Sequence, residues 1–406
     1  MNILFLTLAY PSAGINNIYT DLLDEFVRDG NDVWVVCQNE RRTGKPTQCR
    51  EENGKTILRV KTLNITGEVG IVEKGIATAM IDRVFLTTIK KHFRSVKFDL
   101  ILYSTPPITL SGCVKRLKNE FGATTYLLLK DIFPQNAVDL GMLTTSGVKG
   151  LIYCYFRHKE KKLYKVSDYI GCMSPANCRY VLDHNPEVST EKLEVCPNCV
   201  RFPQTSPIYS KDSSLIRGKY NIPDDSIIFL YGGNLGKPQG INFLIQCLEK
   251  EKVNSKVFFI IIGSGTEYTK IQRFMSEQKP SNALLLDYLP KDEYEAIANQ
   301  CDVGMIFLDH RFTIPNYPSR LLPYLASGIP VLVASDVASD MGRISEENGF
   351  GFWCESNSVT AFSEVVSRMV GADRTEMGKN AWNYVTSHYS VQIGQEIISK
   401  HFRKNI

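Results

Sequence analysis

Short apolar runs rich in β-branched residues alternate with amphipathic stretches from one end of this chain to the other. No other feature restricts the fold as much, because parallel strands need a crossover of a dozen or more residues, usually a helix. Seven runs in the first half read as strands: NILFLTL, DVWVVCQ, TILRVKT, DLILYS, TTYLLLK, DYIGCMS and LEVCP. Helical periods at 17–29, 108–120, 148–166 and 175–183 lie between them. A Pro- and Ser-rich connector, FPQTSPIYSKDSS at 202–214, then precedes a second series. It runs IIFLYGG, a helix at 240–251, KVFFIIIGSG, a helix at 266–278, ALLLDYL, a helix at 291–300, DVGMIFL, a helix at 319–327 and PVLVAS. At 406 residues the chain exceeds the ~250–300 at which a single core stops growing. The expectation is α/β, with two Rossmann-like doubly wound parallel-sheet domains, 1–205 and 206–387, and a helix at about 388–406 that can pack back on the first.

Ligands of such sheets sit beyond the carboxyl ends of the strands, so the loops there deserve the closest reading. After the first strand comes a turn with Gly14, then a helix opening near Asn17. In the second series, LYGGNLGKPQG carries Gly233, Asn234 and Lys237, and IIIGSG carries Gly263. Glycine lets the backbone pass close to a ligand and turn tightly into a helix, whose free N–H groups favour an anion. Neither loop spells G-x-x-x-x-G-K-[ST] or G-x-G-x-x-G, which argues against an ATPase and a nicotinamide dehydrogenase. A third loop, NYPSRLLPYLASGIP at 316–330, sets Arg320 at the first turn of a short helix. A guanidinium at a helix start suits a phosphate. In the first half, TTYLLLK ends in KDIFPQ, which leaves Asp131 at a strand's carboxyl end, where a carboxylate can act on a substrate hydroxyl. The competing reading of Asp131 is a cap on the next helix.

Charge and cysteine usage exclude several classes. Residues 1–200 carry 26 Lys/Arg against 21 Asp/Glu, too slight an excess for a nucleic-acid binder. The eleven cysteines are scattered, and Cys196-Pro-Asn-Cys199 lacks a second pair or a histidine at ligand spacing, so no metal site is expected. No run reaches the ~18–20 apolar residues of a membrane span, and MNILFLTLAYP reads as a strand rather than a leader. A cytoplasmic protein is expected. Two stretches, 81–97 and 151–165, mix apolar and basic residues at helical spacing. Each is either a solvated face over a core stripe or a means of peripheral docking on the inner face of the plasma membrane.

Taken in order, YSTPP (103–107), KDIFPQNAVDLGML (130–143), CMSPAN (172–177), VCPNCV (195–200), LYGGNLGKPQGI (230–241), IIGSGTE (261–267), CDVGMIFL (301–308) and PSRLLPYLASGIPVLVAS (318–335) resemble the family 4 glycosyltransferases of the GT-B type. The likeness spans almost the whole chain. It is to the bacterial branch that builds capsule, O-antigen and exopolysaccharide units, including N-acetyl-L-fucosamine transferases. The resemblance implies two domains facing a cleft and a retaining transfer of a hexosyl or N-acetylhexosaminyl unit. The donor would be a nucleotide-sugar, expected to be UDP-linked, and the acceptor a lipid-linked saccharide or polysaccharide. No metal or other cofactor is implied. Catalysis would fall to Asp131, Arg320 and Lys237. Donor contacts would come from Gly233, Asn234, Gly263, Tyr288, Leu289, Ser319, Arg320 and Leu321, and acceptor contacts from Gly14, Asn17, Asp131 and Phe133. Three positions depart from the family: Asn234 stands where most members have arginine, Gln239 where they have lysine, and Pro323 where they have a ribose-binding glutamate. These departures leave a second reading, a catalytically impaired nucleotide- or glycan-binding partner.

Overall fold

The computed structural model describes residues 1–66, 69, 71–203, 205–207, 209 and 212–402. The last residues of the expected 388–406 helix and parts of the 202–214 connector lie outside the described residues. The chain forms two compact units, Met1–Arg201 with Ser390–Ile406, and Phe202–Tyr389.

The first unit is built on eight strands: β1 (Asn2–Leu6), β2 (Asp32–Glu40), β3 (Gln48–Glu52), β4 (Lys55–Thr62), β5 (Leu100–Ser104), β6 (Thr124–Leu129), β7 (Tyr169–Cys172) and β8 (Leu193–Val195). Their order is β3-β4-β2-β1-β5-β6-β7-β8, parallel except for the β3–β4 pair. Every residue of β5 is buried, as a strand covered on both faces requires. Helices Ile71–His92, Ser111–Phe121 and Gly147–Val166 pack on one face, through Phe85, Ile89, Val114, Leu117 and Leu163. Helix Ile18–Arg28 covers the other, where Leu22, Leu23 and Phe26 meet Ile398. The basic stretch at 81–97 is therefore a core helix: Phe85, Ile89 and Phe93 are all at or below 4% exposure. Its apolar stripe is not available to a membrane.

The unit ends at Arg201 rather than at the expected 205. The Arg201 N–H donates to Asp21 (3.1 Å) and its guanidinium pairs with Glu25 (3.0 Å), both on helix Ile18–Arg28. The chain returns at Ser390, slightly beyond the expected 387/388 boundary, and Val391 N–H donates to the Val200 carbonyl.

The second unit has six parallel strands: β9 (Ile227–Gly232), β10 (Val257–Ile262), β11 (Ala283–Leu286), β12 (Val303–Phe307), β13 (Val331–Ser335) and β14 (Gly351–Glu355). Their order, β11-β10-β9-β12-β13-β14, reverses direction between β9 and β12. That reversal opens a crevice above the carboxyl ends of these two strands. The loop carrying Gly233 and the approach to Arg320 both leave from this point.

Candidate functional site

Three glycines pave the crevice of the second unit. Gly233 has φ +123°, Gly263 φ +155° and Gly265 φ +158°, values that side-chain-bearing residues rarely adopt. At Gly263 a Cβ would come within 1.9 Å of the Gly233 carbonyl oxygen, and at Gly265 within 2.5 Å of that of Leu235. The two loops are also laced together by backbone: Gly233 N–H donates to Ile262 O, and Leu235 N–H to Ser264 O, each at 2.9 Å. The result is a floor of closely packed main chain, with the Asn234 carboxamide near Gly265 and the Arg320 guanidinium near Gly233.

Arg320 lies against this floor. Its guanidinium carbon is 4.7 Å from the centroid of the Tyr231 ring, and Nη1 donates to the Gly232 carbonyl at 3.3 Å. A Cβ on Gly233 would sit 3.7 Å from the same guanidinium carbon. The charge is thus seated beside the glycine turn in a fixed position. One helical turn further on, Tyr324 is fully buried, accepts from Gly232 N–H (3.0 Å) and donates to Leu230 O (3.1 Å). Burial, with a further push from Tyr294, holds the Tyr324 hydroxyl well above its ordinary range, so it stays a neutral hydrogen-bonding strut. Sequence reasoning missed Tyr324 as a site residue. The signal was present in its spacing four residues after Arg320, which places both side chains on one helical face.

The expected helix-start anion site is only partly realised. The helix runs Leu321–Ala326, and the N–H groups of Leu321 and Leu322 already donate to Pro318 and Ser319. The Leu321 side chain is fully buried and supports the turn. Ser319 is exposed beside it. What the helix start presents to the crevice is the Arg320 side chain rather than free N–H groups.

The departures from the family pattern acquire a physical role. Gln239 is buried, and its carbonyl oxygen accepts from Gly236 N–H (3.2 Å) and from the Asn234 carboxamide (3.0 Å). Where cations would reach a diphosphate, this chain has a neutral clasp that shapes the loop. Lys237 projects from the same loop and is exposed. Tyr288, 72% exposed, and half-buried Leu289 follow β11 on the same edge of the sheet.

In the first unit Asp131 stands just past β6, half-buried. Its carboxylate accepts from the Asn136 carboxamide at 2.9 Å, and its N–H donates to the Thr105 hydroxyl at 3.2 Å. Burial pushes the carboxyl above its usual range, against the opposing pull of Asn136 and the Ile132 N–H. Asp131 does not cap the following helix, whose cap position is Pro134. The remaining acceptor candidates each have a local structural setting. Asn17 spends its carboxamide oxygen on the N–H groups of Tyr19 (2.9 Å) and Thr20 (3.0 Å), an N-cap of helix Ile18–Arg28. Phe133 packs edge-to-face on Phe156 at 5.0 Å and anchors the loop to the core. Gly14, at φ +87°, lines a cavity of about 20 Å³, room for one water. Cys196 and Cys199 are buried packing residues, and the half-buried Lys130 ammonium donates to the Cys196 carbonyl (3.2 Å).

A parallel sheet of this order, with its glycine turns and Arg320 above the carboxyl ends of β9 and β12, is a doubly wound α/β domain. Residues 212–383, which lie within the second unit, match the family model described as glycosyl transferases group 1. The chain is 24% identical over 327 residues to the probable glycosyltransferase WbjE of Pseudomonas aeruginosa, covering 78% of each protein. It is 30% identical over 121 residues to the O-antigen biosynthesis glycosyltransferase WclY of Escherichia coli, covering 29% of this chain and 33% of that one. Anabaena Alr3699/HepE, solved in complex with UDP, superposes with a TM-score of 0.69 at 13% identity, covering 99% of this chain and 100% of that one. The fold is the two-unit GT-B architecture.

Proposed function

We propose that this protein is a retaining glycosyltransferase. It moves a hexosyl or N-acetylhexosaminyl unit from a UDP-sugar to a lipid-linked or polysaccharide acceptor in surface-glycan assembly, at the inner face of the plasma membrane. Seated Arg320 beside the glycine floor carries this reading. As the sugar–phosphate bond breaks, negative charge grows on the β-phosphate oxygen. A guanidinium already held by the Tyr231 ring and the Gly232 carbonyl meets that charge with little reorganisation, so it stabilises the transition state more than the ground state. Lys237 supplies a second cation, and the glycine backbone admits the diphosphate without a metal. On the acceptor side Asp131 takes or orients the hydroxyl proton; in a front-face reaction the departing phosphate can itself accept that proton. The names of WclY and of the UDP-bound HepE support the glycan context and the nucleotide.

A panel of nucleotide-sugars tests the reading. A true donor at a hundred times its dissociation constant adds ~2.7 kcal/mol to stability. It should therefore raise the melting temperature and be hydrolysed slowly without acceptor. Arg320→Ala should cut turnover by about a hundredfold or more while the fold persists. Near-normal turnover in that variant, or no response to any sugar nucleotide, would overturn the assignment.

A further inference from the structure

Helices Ile71–His92, Ser111–Phe121 and Gly147–Val166 form the outer layer on one face of the first unit's sheet. Between them runs a groove of about 490 Å³ whose lining includes Lys115, Lys118, Lys159, Lys162, Lys165 and Asp82. Lys118 pairs with Asp168 at 2.6 Å; the other four lysines have no ion pair among the described residues. Asp82 accepts from Cys113 N–H at 2.6 Å and, with Lys159 and Arg116 near it, is the one carboxylate among the described lining residues, against five lysines.

The same surface is apolar at one end. Val148, Leu151, Ile152 and Tyr155 precede Lys159, Lys162 and Lys165 on helix Gly147–Val166. Steps of three and four residues bring them into one stripe. Val148 is 80% exposed and Leu151 73%, while the Lys159 ammonium sits 5.5 Å over the Tyr155 ring, where the two halves join. Val148, Leu151, Ile152 and Tyr155 are among the fourteen exposed large apolar side chains of the described residues, and they stand together on one helix. Scattered singly they would need no explanation, but a cluster of this kind marks an interaction surface. Tyr164, on the same helix, is not part of it: that side chain is buried and donates to Glu160.

We propose that this stripe is a docking face for an anionic phospholipid surface. Its lysine groove takes lipid phosphates, and Val148, Leu151, Ile152 and Tyr155 enter the acyl boundary. Compact ammonium charges on flexible stems suit a laterally mobile array of phosphates, and apolar residues next to them suit an interface with an apolar depth. The inference rests on the reading that the acceptor is lipid-linked.

Flotation of the full chain on phosphatidylcholine vesicles, with and without phosphatidylglycerol and at low and high salt, tests it. The protein should bind only where phosphatidylglycerol is present, and less at high salt. The triple change Lys159→Gln, Lys162→Gln, Lys165→Gln should weaken vesicle affinity on the order of a hundredfold. Leu151→Ser with Ile152→Ser should weaken it at either salt. Both variants should hydrolyse UDP-sugar at the wild-type rate, which shows that they are folded. Unchanged flotation in both variants would overturn the proposal. So would titratable binding of inorganic phosphate with no flotation, which would assign the groove to a free anion. Wild-type protein that transfers sugar but never floats ends this inference and leaves the transferase reading standing; protein that floats but consumes no sugar nucleotide does the reverse.

Discussion

Asp131 and Arg320 were both readable from position alone, one at a strand's carboxyl end and one at a helix start. What the letters could not give was how each is held, because the groups that hold them come from distant elements or looked unremarkable. Arg320 is seated by Tyr231 and Gly232, about ninety residues away in the chain. Gln239 looked like the loss of a cation, yet it builds the loop. Asn136 is the side-chain neighbour that tunes Asp131. Burial raises the Asp131 carboxyl and Asn136 pulls it down. A proton acceptor works only when ionised, so activity is present above its pKa and is lost as pH falls through it. Asn136→Ala removes the opposing donor, and the acid limb of kcat/KM against pH should move to higher pH. An unmoved limb would show that Asp131 is not the group being titrated.

At the scale of elements, the strands that could be read carry apolar or β-branched runs, most of them deeply buried, although β8 and β11 are only partly buried. The edge strand β3, QCREE, is mostly exposed and polar, and nothing in its letters distinguishes it from a loop. The other missed strand, β14, is GFWCE, five residues at the far edge of its sheet with a mixed burial pattern. Helix Leu321–Ala326 shows why a short element can still be well defined. On its own six residues would not hold a helix. Tyr324 pins it to β9 by bridging Leu230 and Gly232, and Gly304 leaves room for the ring, since a Cβ there would meet it at 2.5 Å. Tyr324→Phe keeps the packing but leaves the buried Gly232 N–H without that acceptor, at a cost of ~1–3 kcal/mol. Because the Gly232 carbonyl also seats Arg320, turnover should fall along with stability. Denaturant melts and steady-state kinetics on the same variant would show both; lost stability with unchanged turnover would separate the strut from the chemistry.

For the whole molecule, the division of the chain is not the division of the sequence into halves. The last segment belongs with the first strands: Val391 and Ile398 are fully buried, Gln395 donates to Asp29 at 2.8 Å, and His401 stacks on Tyr169 with ring centroids 3.6 Å apart. An amphipathic helix announces that it needs a partner but not which sheet supplies it, so this packing could not be assigned from periodicity. Removing residues 390–406 should uncover Leu22, Leu23 and Phe26, which pack with Ile398. Two fully buried aliphatic side chains at ~1.5–3 kcal/mol each put the loss at about 3–6 kcal/mol, a large part of a typical domain's stability. Calorimetry should show the first unit's transition falling by about 10 °C or more. The second unit can be followed by fluorescence in a Trp34→Phe background, where Trp353 and Trp382 are the remaining tryptophans and both lie in Phe202–Tyr389. Its transition should hold its temperature. If both transitions fall together, the two units unfold as one cooperative body; if neither moves, the returning helix contributes no stability to the unit it covers.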